Sequence, residues 1–440
     1  MKDILHVKAP GNWMNDPNGF IYYQGKYHLF YQYFPYGTAW GTMHWGHGVS
    51  EDLVHWEHLG IALFPTKGYD RNGVFSGSAL EKDSKLYLYY SAVRYLEIDE
   101  EDIHRAKNDN YETSQAMVIS EDGLHFDNWN EKRQIIPVIR DEAIAHETHT
   151  RDPKVWYEKG EYYMLLGSTW RGQEGRTVIF KSRDGESWDY KNQCRHEWFG
   201  RILECPDLFR AGEGYVFMGS PMYIDGSKNG YAHHAICAMA EFDGRTCALK
   251  LSEKFQYVDY GMDLYAPQTN TDKEGRRVMI AWMRMARPEE GKDRTPWIGM
   301  MCAPRVVETE DGHIYFRVHP EVDRYFGKET TDRGCIGDKR PCRIQTELKE
   351  GESLNIGGYR IWVERGYVKA DRSRVFVDSE EYRMVGSTPE SLKHHRLDVL
   401  VEPNLIEVFV NEGQYVISHV VYGLGGQVEG RVERMFMGND

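Results

Sequence analysis

The chain has 440 residues, with 54 Lys plus Arg against 68 Asp plus Glu and a formal net charge of −14. That charge repels polyanions, which argues against nucleic acid or an anionic membrane as partner and for a small neutral substrate. The seven cysteines are odd in number and show no C-x-x-C pair or His/Cys metal spacing, so neither a disulfide framework nor a zinc site is expected; reduced thiols in a cytosol are the simplest reading.

Met1 to Asn12 holds no apolar signal core and no later run is long and apolar enough to cross a bilayer, so the chain reads as soluble and cytoplasmic. Its length exceeds one ordinary core of about 100–200 residues, which favours a large repeat domain beside a smaller one. Twelve Trp and 29 Tyr suit the mixed faces of sugar rings, although a β-rich fold accounts for most of them.

In chain order, five strand-turn-strand units recur. Asp16 to Phe34 turns at Gln24-Gly25-Lys26, and Val74 to Ala92 turns at Asp83-Ser84. Asp152 to Thr169 turns at Lys159-Gly160, Glu204 to Ser220 at Gly212-Glu213-Gly214, and Ala266 to Met283 at Lys273-Glu274-Gly275. A second element follows three of them, at Ser50-Glu51-Asp52, Ser120-Glu121-Asp122 and Ser182-Arg183-Asp184, and reads as a turn that ends one strand and opens the next. The pattern predicts an all-β fold, a five-bladed β-propeller over residues 1–320. Asp16, Ser76, Asp152, Glu204 and Gln268 fall at equivalent places, one per repeat, and would converge on a central funnel.

The charged stretch Glu97 to Glu112 reads as a surface insertion in the second repeat, a solvated loop or short helix. Residues 321–334 read as a linker. Beyond it the strict alternation of Leu397 to Val401 and Ile406 to Val410 predicts a β-sandwich over 335–440.

Two acids in different environments are what glycosidic cleavage needs, one ionised and one protonated. Asp16, in Trp13-Met14-Asn15-Asp16-Pro17-Asn18-Gly19, has turn-forming neighbours whose N–H groups could hold a carboxylate ionised. Glu204 has apolar neighbours in Leu203-Glu204-Cys205-Pro206, which favours the protonated form. Arg151 beside Asp152 would keep that acid charged, unless the pair is only a structural ion pair. Other clusters could line the funnel: Gln32, Trp40, the His44 to His47 run, Phe75 to Ser78, Asp259 to Asp263, and Trp282. His44 and His47 read as hydrogen-bonded scaffold, so no metal is expected, and no phosphate-cradling glycine loop implies a cofactor.

Taken together these segments resemble glycoside hydrolase family 32, the invertases, sucrose and sucrose-6-phosphate hydrolases and fructanases. Trp13 to Gly19, Arg151-Asp152-Pro153 and Glu204-Cys205 match its three signatures, and Asp263 to Thr269 is a supporting match. The resemblance implies a propeller followed by a sandwich, and a retaining β-fructofuranosidase with Asp16 as nucleophile, Asp152 as transition-state stabiliser and Glu204 as acid/base. It further implies that Asn15, Gln32, Trp40, Phe75, Ser76 and Arg151 contact a fructosyl unit, with Cys205 beside the acid/base; Asp259 and Trp282 complete the expected binding set. Two departures stand out: a C-terminal domain of only about 105 residues, which bears on any homodimer, and the unmatched 97–112 insertion. Fructosyl transfer, exo-fructanase activity and a non-catalytic sugar-binding propeller are the alternatives. Arg94, Arg171 and Arg287 are candidates for binding a substrate phosphate.

Overall fold

The computed structural model describes every residue except 225–232, 292–293, 335, 337–339, 378, 391–393 and 440. The chain is built from strands: among the described residues its one α-helix is the six-residue Pro320–Tyr325. Five sheets come first, each built on four antiparallel strands. Sheet one runs Asn12–Tyr23, Lys26–Phe34, His44–Ser50 and His55–Leu63, and sheet two runs Gly73–Lys82, Lys85–Tyr95, Tyr111–Ser120 and Arg133–Ile136. Sheet three is Arg151–Glu158, Glu161–Trp170, Glu174–Ser182 and Asp189–Arg195; sheet four is Ile202–Ala211, Gly214–Met222, Ile236–Asp243 and Ala248–Leu251. Sheet five is Leu264–Thr271, Arg277–Met283, Arg305–Glu310 and His313–Val318. Each expected hairpin is present with its turn between the expected strands.

The recurring Ser-x-Asp element is a hydrogen-bonded turn. Ser50, Ser120 and Ser182 hydroxyl oxygens accept from the backbone N–H three residues on, at 2.8, 2.9 and 2.8 Å. Asp52, Asp122 and Asp184 each take two further N–H groups at 2.8–2.9 Å. Short polar side chains thereby satisfy backbone donors that the turn withdraws from the ladder.

The first strands of the five sheets lie side by side, and their contacts return to the start: one against two, two against three, three against four, four against five, five against one. Polar side chains stitch each junction. Asn18 Oδ1 accepts from Gly77 N at 3.1 Å, and Ser78 Oγ donates to Pro153 O at 2.7 Å. Lys154 Nζ donates to Asp207 Oδ2 at 2.9 Å, and Asp207 accepts from Thr269 N at 2.8 Å. Gln268 Oε1 accepts from Phe20 N at 3.0 Å. Sheet one is extended by Lys2–Ile4 on its outer strand and, on its inner side, by Arg294–Ile298, where Asn12 and Trp13 pair in parallel with Trp297 and Ile298.

All five first strands carry an interruption at the same level. The pairs Asn15-Asp16, Phe75-Ser76, Asp152-Pro153, Cys205-Pro206 and Ala266-Pro267 each face a single residue of the neighbouring strand. A bulge bends the strand and re-aims its side chains, and proline, lacking an N–H, is tolerated there. Asp152, Cys205 and Ala266 occupy left-handed backbone at φ 63°, 44° and 52°, which costs on the order of 1–2 kcal/mol each.

The C-terminal part forms a six-stranded and a five-stranded sheet around an apolar core that includes Ile344, Leu354, Ile361, Val399 and Val408. The stretch read as a linker is not featureless: it holds the helix, capped by the His319 side chain, and Lys328–Glu329 pairs with Arg434–Met437 of the six-stranded sheet. The alternation that marks longer strands is absent from a two-residue strand, so the sequence could not show it.

The junction between the two parts is dense in buried charge. Arg305 donates to Asp259 Oδ2 at 3.0 Å, to Glu407 Oε2 at 2.6 Å and to Ser418 Oγ at 2.8 Å. Glu407 also meets His6 Nε2 at 2.6 Å. Gly261 packs so close to Ser418 that a Cβ would lie 1.9 Å from its carbonyl oxygen. Asp259, expected among the substrate-binding residues, therefore belongs to the junction between these two parts. A fully buried carboxylate needs a cation and donors, and it finds them in Arg305, Gly261 N and Ser418 N.

Candidate active site

The bulges turn their side chains into a cavity of about 750 Å³ at one end of the ring of first strands. Asp16, Asp152, Glu204, Asn15, Gln32, Trp40, Phe75, Ser76, Arg151 and Trp282 all line it. Cys205 sits just beneath, in the narrow throat with Pro17, Pro153, Pro206 and Pro267. Gln268 does not reach the cavity. It lies past the bulge, in the throat, where its amide donates to Gly77 O at 2.8 Å. The five polar positions are thus offset by a residue or two: Asp16 and Ser76 are second in their bulges, Asp152 is first, and Glu204 precedes its bulge.

The acids are individually held. Ser76 Oγ donates to Asp16 Oδ2 at 2.6 Å. Cys205 N donates to Asp152 Oδ2 at 2.9 Å, and the Cys205 thiol lies 3.5 Å from Asp16 Oδ2 and 3.6 Å from Asp152 Oδ2. Arg151 directs Nε and Nη2 to Glu204 Oε1 at 3.0 and 2.7 Å, while Tyr265 donates its hydroxyl to Glu204 Oε2 at 2.6 Å. Arg151 Nη1 also donates to the Tyr111 hydroxyl at 3.2 Å.

These contacts reverse the charge pattern that sequence neighbours suggest. Burial would raise the Glu204 carboxyl, but the Arg151 guanidinium and the Tyr265 hydroxyl hold it below the usual range. Asp152 is pushed up to about 7 by burial, against the pull of Arg151 and with the push of Glu204 and Asp16. Burial raises Asp16 as well, opposed by the Ser76 hydroxyl and reinforced by Glu204. The reason is geometric: Leu203 and Cys205 flank Glu204 in sequence, yet the groups touching its carboxylate come from sheets three and five. Arg151 turns to Glu204 and away from its neighbour Asp152. The Cys205 thiol is raised well above its ordinary value by burial and by all three carboxylates, so it is no nucleophile.

Aromatic rings form the walls. Trp13 and Trp282 lie 5.9 Å apart, and Trp40 meets Phe75 edge-on at 5.5 Å. Trp13 Nε1 donates to Asn15 Oδ1 at 2.8 Å and Gln32 Nε2 to Val74 O at 2.9 Å, fixing both amides. His44 bonds the Thr42 carbonyl and His47 bonds His28, all buried inside sheet one. The 97–112 stretch connects the second and third strands of sheet two, and its short 3-10 turn Lys107–Asp109 brings Asp109 to the cavity.

Several lining residues stand outside the expected site set: Trp13 and Tyr265, present only as members of the matched motifs, and Tyr111, His149, His233, Arg284 and Tyr382. A signal for Tyr265 is present. Arg151, Glu204 and Tyr265 each stand two residues before a proline at the same bulge. For Arg284 and Tyr382 no local pattern exists, because they meet across the domain junction. Arg94, Arg171 and Arg287 are elsewhere: Arg94 pairs with Glu112, Arg171 stacks on Trp170 and Arg287 on Tyr422.

A deep cavity floored by carboxylates and walled by aromatic rings is the equipment of a glycoside hydrolase. Comparison with known proteins gives the class and then the family. The model of the glycosyl hydrolases family 32 N-terminal domain matches residues 6–320, and the chain belongs to that family. A raffinose invertase of Escherichia coli is 31% identical over 95% of this chain and 89% of its own length. A sucrose-6-phosphate hydrolase of Bacillus subtilis strain 168 is 30% identical, over 97% and 90%. Among solved structures, a Bombyx mori GH32 beta-fructofuranosidase superposes with a TM-score of 0.81 at 26% identity, covering 98% of this chain and 92% of that one. A sucrose-6-phosphate hydrolase from Lactobacillus gasseri, 22% identical, superposes with a TM-score of 0.84 over 99% and 93%, a likeness of fold.

Proposed function

We propose that this glycoside hydrolase is a retaining β-fructofuranosidase that removes fructose from sucrose, sucrose 6-phosphate or short fructo-oligosaccharides. The convergence of Asp16, Asp152 and Glu204 with one guanidinium, Arg151, on the floor of a single cavity carries the reading. The names of the relatives agree with it, and a further Bombyx mori structure, 26% identical, is a complex with sucrose. We read the five sheets as blades of a propeller and the last two as a sandwich; the side-chain bonds that join first strand to first strand support this. Six free thiols among the described cysteines support a cytoplasmic setting.

In this mechanism Asp16, oriented by Ser76, attacks the anomeric carbon while Glu204 gives its proton to the leaving oxygen; water then resolves the fructosyl ester with Glu204 as base. Asp152 bears against the cationic sugar in the transition state. In the free protein Arg151 favours the ionised form of Glu204. Substrate hydroxyls that compete for Arg151 loosen that clamp and let Glu204 take the proton it must donate. The test is hydrolysis of sucrose and its 6-phosphate by wild type, Asp16→Ala and Glu204→Ala, with mass spectrometry of Glu204→Gln for a fructosyl ester on Asp16. Equal fructose release from all three proteins would refute the assignment.

A further inference from the structure

Part of the cavity wall is formed by the C-terminal part of the chain. Ser379, Glu381 and Tyr382 line it, facing Arg284 and His233 from the first part of the chain. This wall is firmly anchored. Fully buried Arg372 donates Nη2 to Asp263 Oδ1 at 2.8 Å and Nε to the Arg383 carbonyl at 3.0 Å, so one guanidinium grips both the wall and the residue just before the Tyr265 strand. The Tyr382 hydroxyl donates to the Met285 carbonyl at 2.9 Å.

Arg284 lies against this wall, its guanidinium 5.2 Å from the Tyr382 ring centre. It is half-buried, and among the described residues its guanidinium has no carboxylate or carbonyl partner. Of the other guanidinium groups of the cavity, Arg151 is committed to Glu204, while Arg201 is exposed, with Nε on the Gly172 carbonyl at 2.8 Å, and unlike Arg284 it has no ring behind it among the described residues. Two acids line the cavity above the catalytic three, Asp109 and Glu381, and both are exposed, where solvent and salt weaken their repulsion of an anion. A planar guanidinium held by a ring, with its donors unspent beside a cavity, is suited to a phosphate or carboxylate.

We propose that Arg284, backed by Tyr382 across the domain junction, is a specificity-determining residue for the leaving group, and that it selects a hexosyl unit carrying an anionic substituent, a sugar phosphate. This rests on the fructosidase reading above. The fructosyl unit occupies the floor among the acids; the leaving group then points outward, to the level of Arg284. The C-terminal domain thereby acts in substrate choice through its own chain.

The test compares kcat/KM for sucrose and sucrose 6-phosphate in wild type, Arg284→Ala, Arg284→Lys, Tyr382→Phe and Tyr382→Ala. Wild type prefers the 6-phosphate. Loss of charge-assisted bonds to the phosphate lowers that preference in Arg284→Ala by roughly 10- to 100-fold, chiefly through KM. Lysine restores part of it as a point charge, Tyr382→Phe retains most of it, and Tyr382→Ala loses part. A purely structural role for Arg284 would lower both substrates together, leaving the ratio unchanged, and that result overturns the proposal. Calorimetric binding of glucose 6-phosphate, with glucose and inorganic phosphate as controls, decides independently of hydrolysis. Weaker glucose 6-phosphate binding to Arg284→Ala supports the inference even if no fructoside is cleaved, which would count against the fructosidase reading alone; equal binding to both proteins overturns it.

Discussion

Replacing Asp152 by Asn makes the protein more stable above neutral pH. In the folded protein burial, Glu204 and Asp16 push the Asp152 carboxyl to about 7 from an ordinary value of 3.8, so folding disfavours its charge. Three units correspond to roughly 4 kcal/mol if Asp152 alone bore the cost. The repulsion is shared among three acids, which leaves about 1–3 kcal/mol to be recovered by removing one charge. Asn keeps an oxygen to accept from Cys205 N, so the local hydrogen bond survives. The penalty is absent below about pH 4, where the carboxyl is protonated folded and unfolded, grows between about pH 4 and 7, and is complete above. With an unfolding entropy near 2 cal/mol/K per residue, a chain of this length gains on the order of 1–4 °C in Tm. Differential scanning calorimetry of wild type and Asp152→Asn at pH 4, 6 and 8 measures it. A variant no more stable than wild type at pH 8, or a gain equal at pH 4 and pH 8, refutes the charge argument.

Three further outcomes follow from the same geometry. Tyr265→Phe removes a 2.6 Å bond that favours ionised Glu204, so the Glu204 carboxyl rises; because Glu204 is held low while Asp16 and Asp152 are raised in the free protein, the break that Glu204 sets on the acidic side of the kcat/KM profile moves up by as much as about one pH unit, and a break that stays or moves down contradicts the arrangement. Arg305→Met strands Asp259 and Glu407 in the domain junction and costs about 3–5 kcal/mol, seen as a lower Tm, whereas the milder Asp259→Asn leaves KM for the fructoside unchanged because Asp259 lies outside the cavity.

Much of the fold is legible in the sequence because its signals are local. Gln24-Gly25 or Lys159-Gly160 can only turn, and the runs around them alternate or fill with β-branched and aromatic residues. The three Ser-x-Asp turns are equally local, since each is satisfied within five residues. The charge states of the acids are legible only across sheets. Arg151 adjoins Asp152 in sequence but bonds Glu204, and Tyr265 reaches Glu204 from sheet five. Asp259 stands in a polar motif near Asp263, and nothing nearby tells that Arg305 claims it. Likewise the alternating strands after residue 335 announce a second β-structure without revealing that Tyr382 lines the cavity.

The parallel pairing of Asn12 and Trp13 with Trp297 and Ile298 sets a timetable for biosynthesis. A ribosome adds about 5–20 residues per second, so the strand carrying Asp16 waits roughly 15–60 s for the segment that covers its inner edge. The three acids have all been made by residue 204, well before that segment exists. His6 waits longer still, because its partner Glu407 lies 401 residues away. Throughout that interval the strand, rich in aromatic residues, lacks the segment that pairs with Asn12 and Trp13.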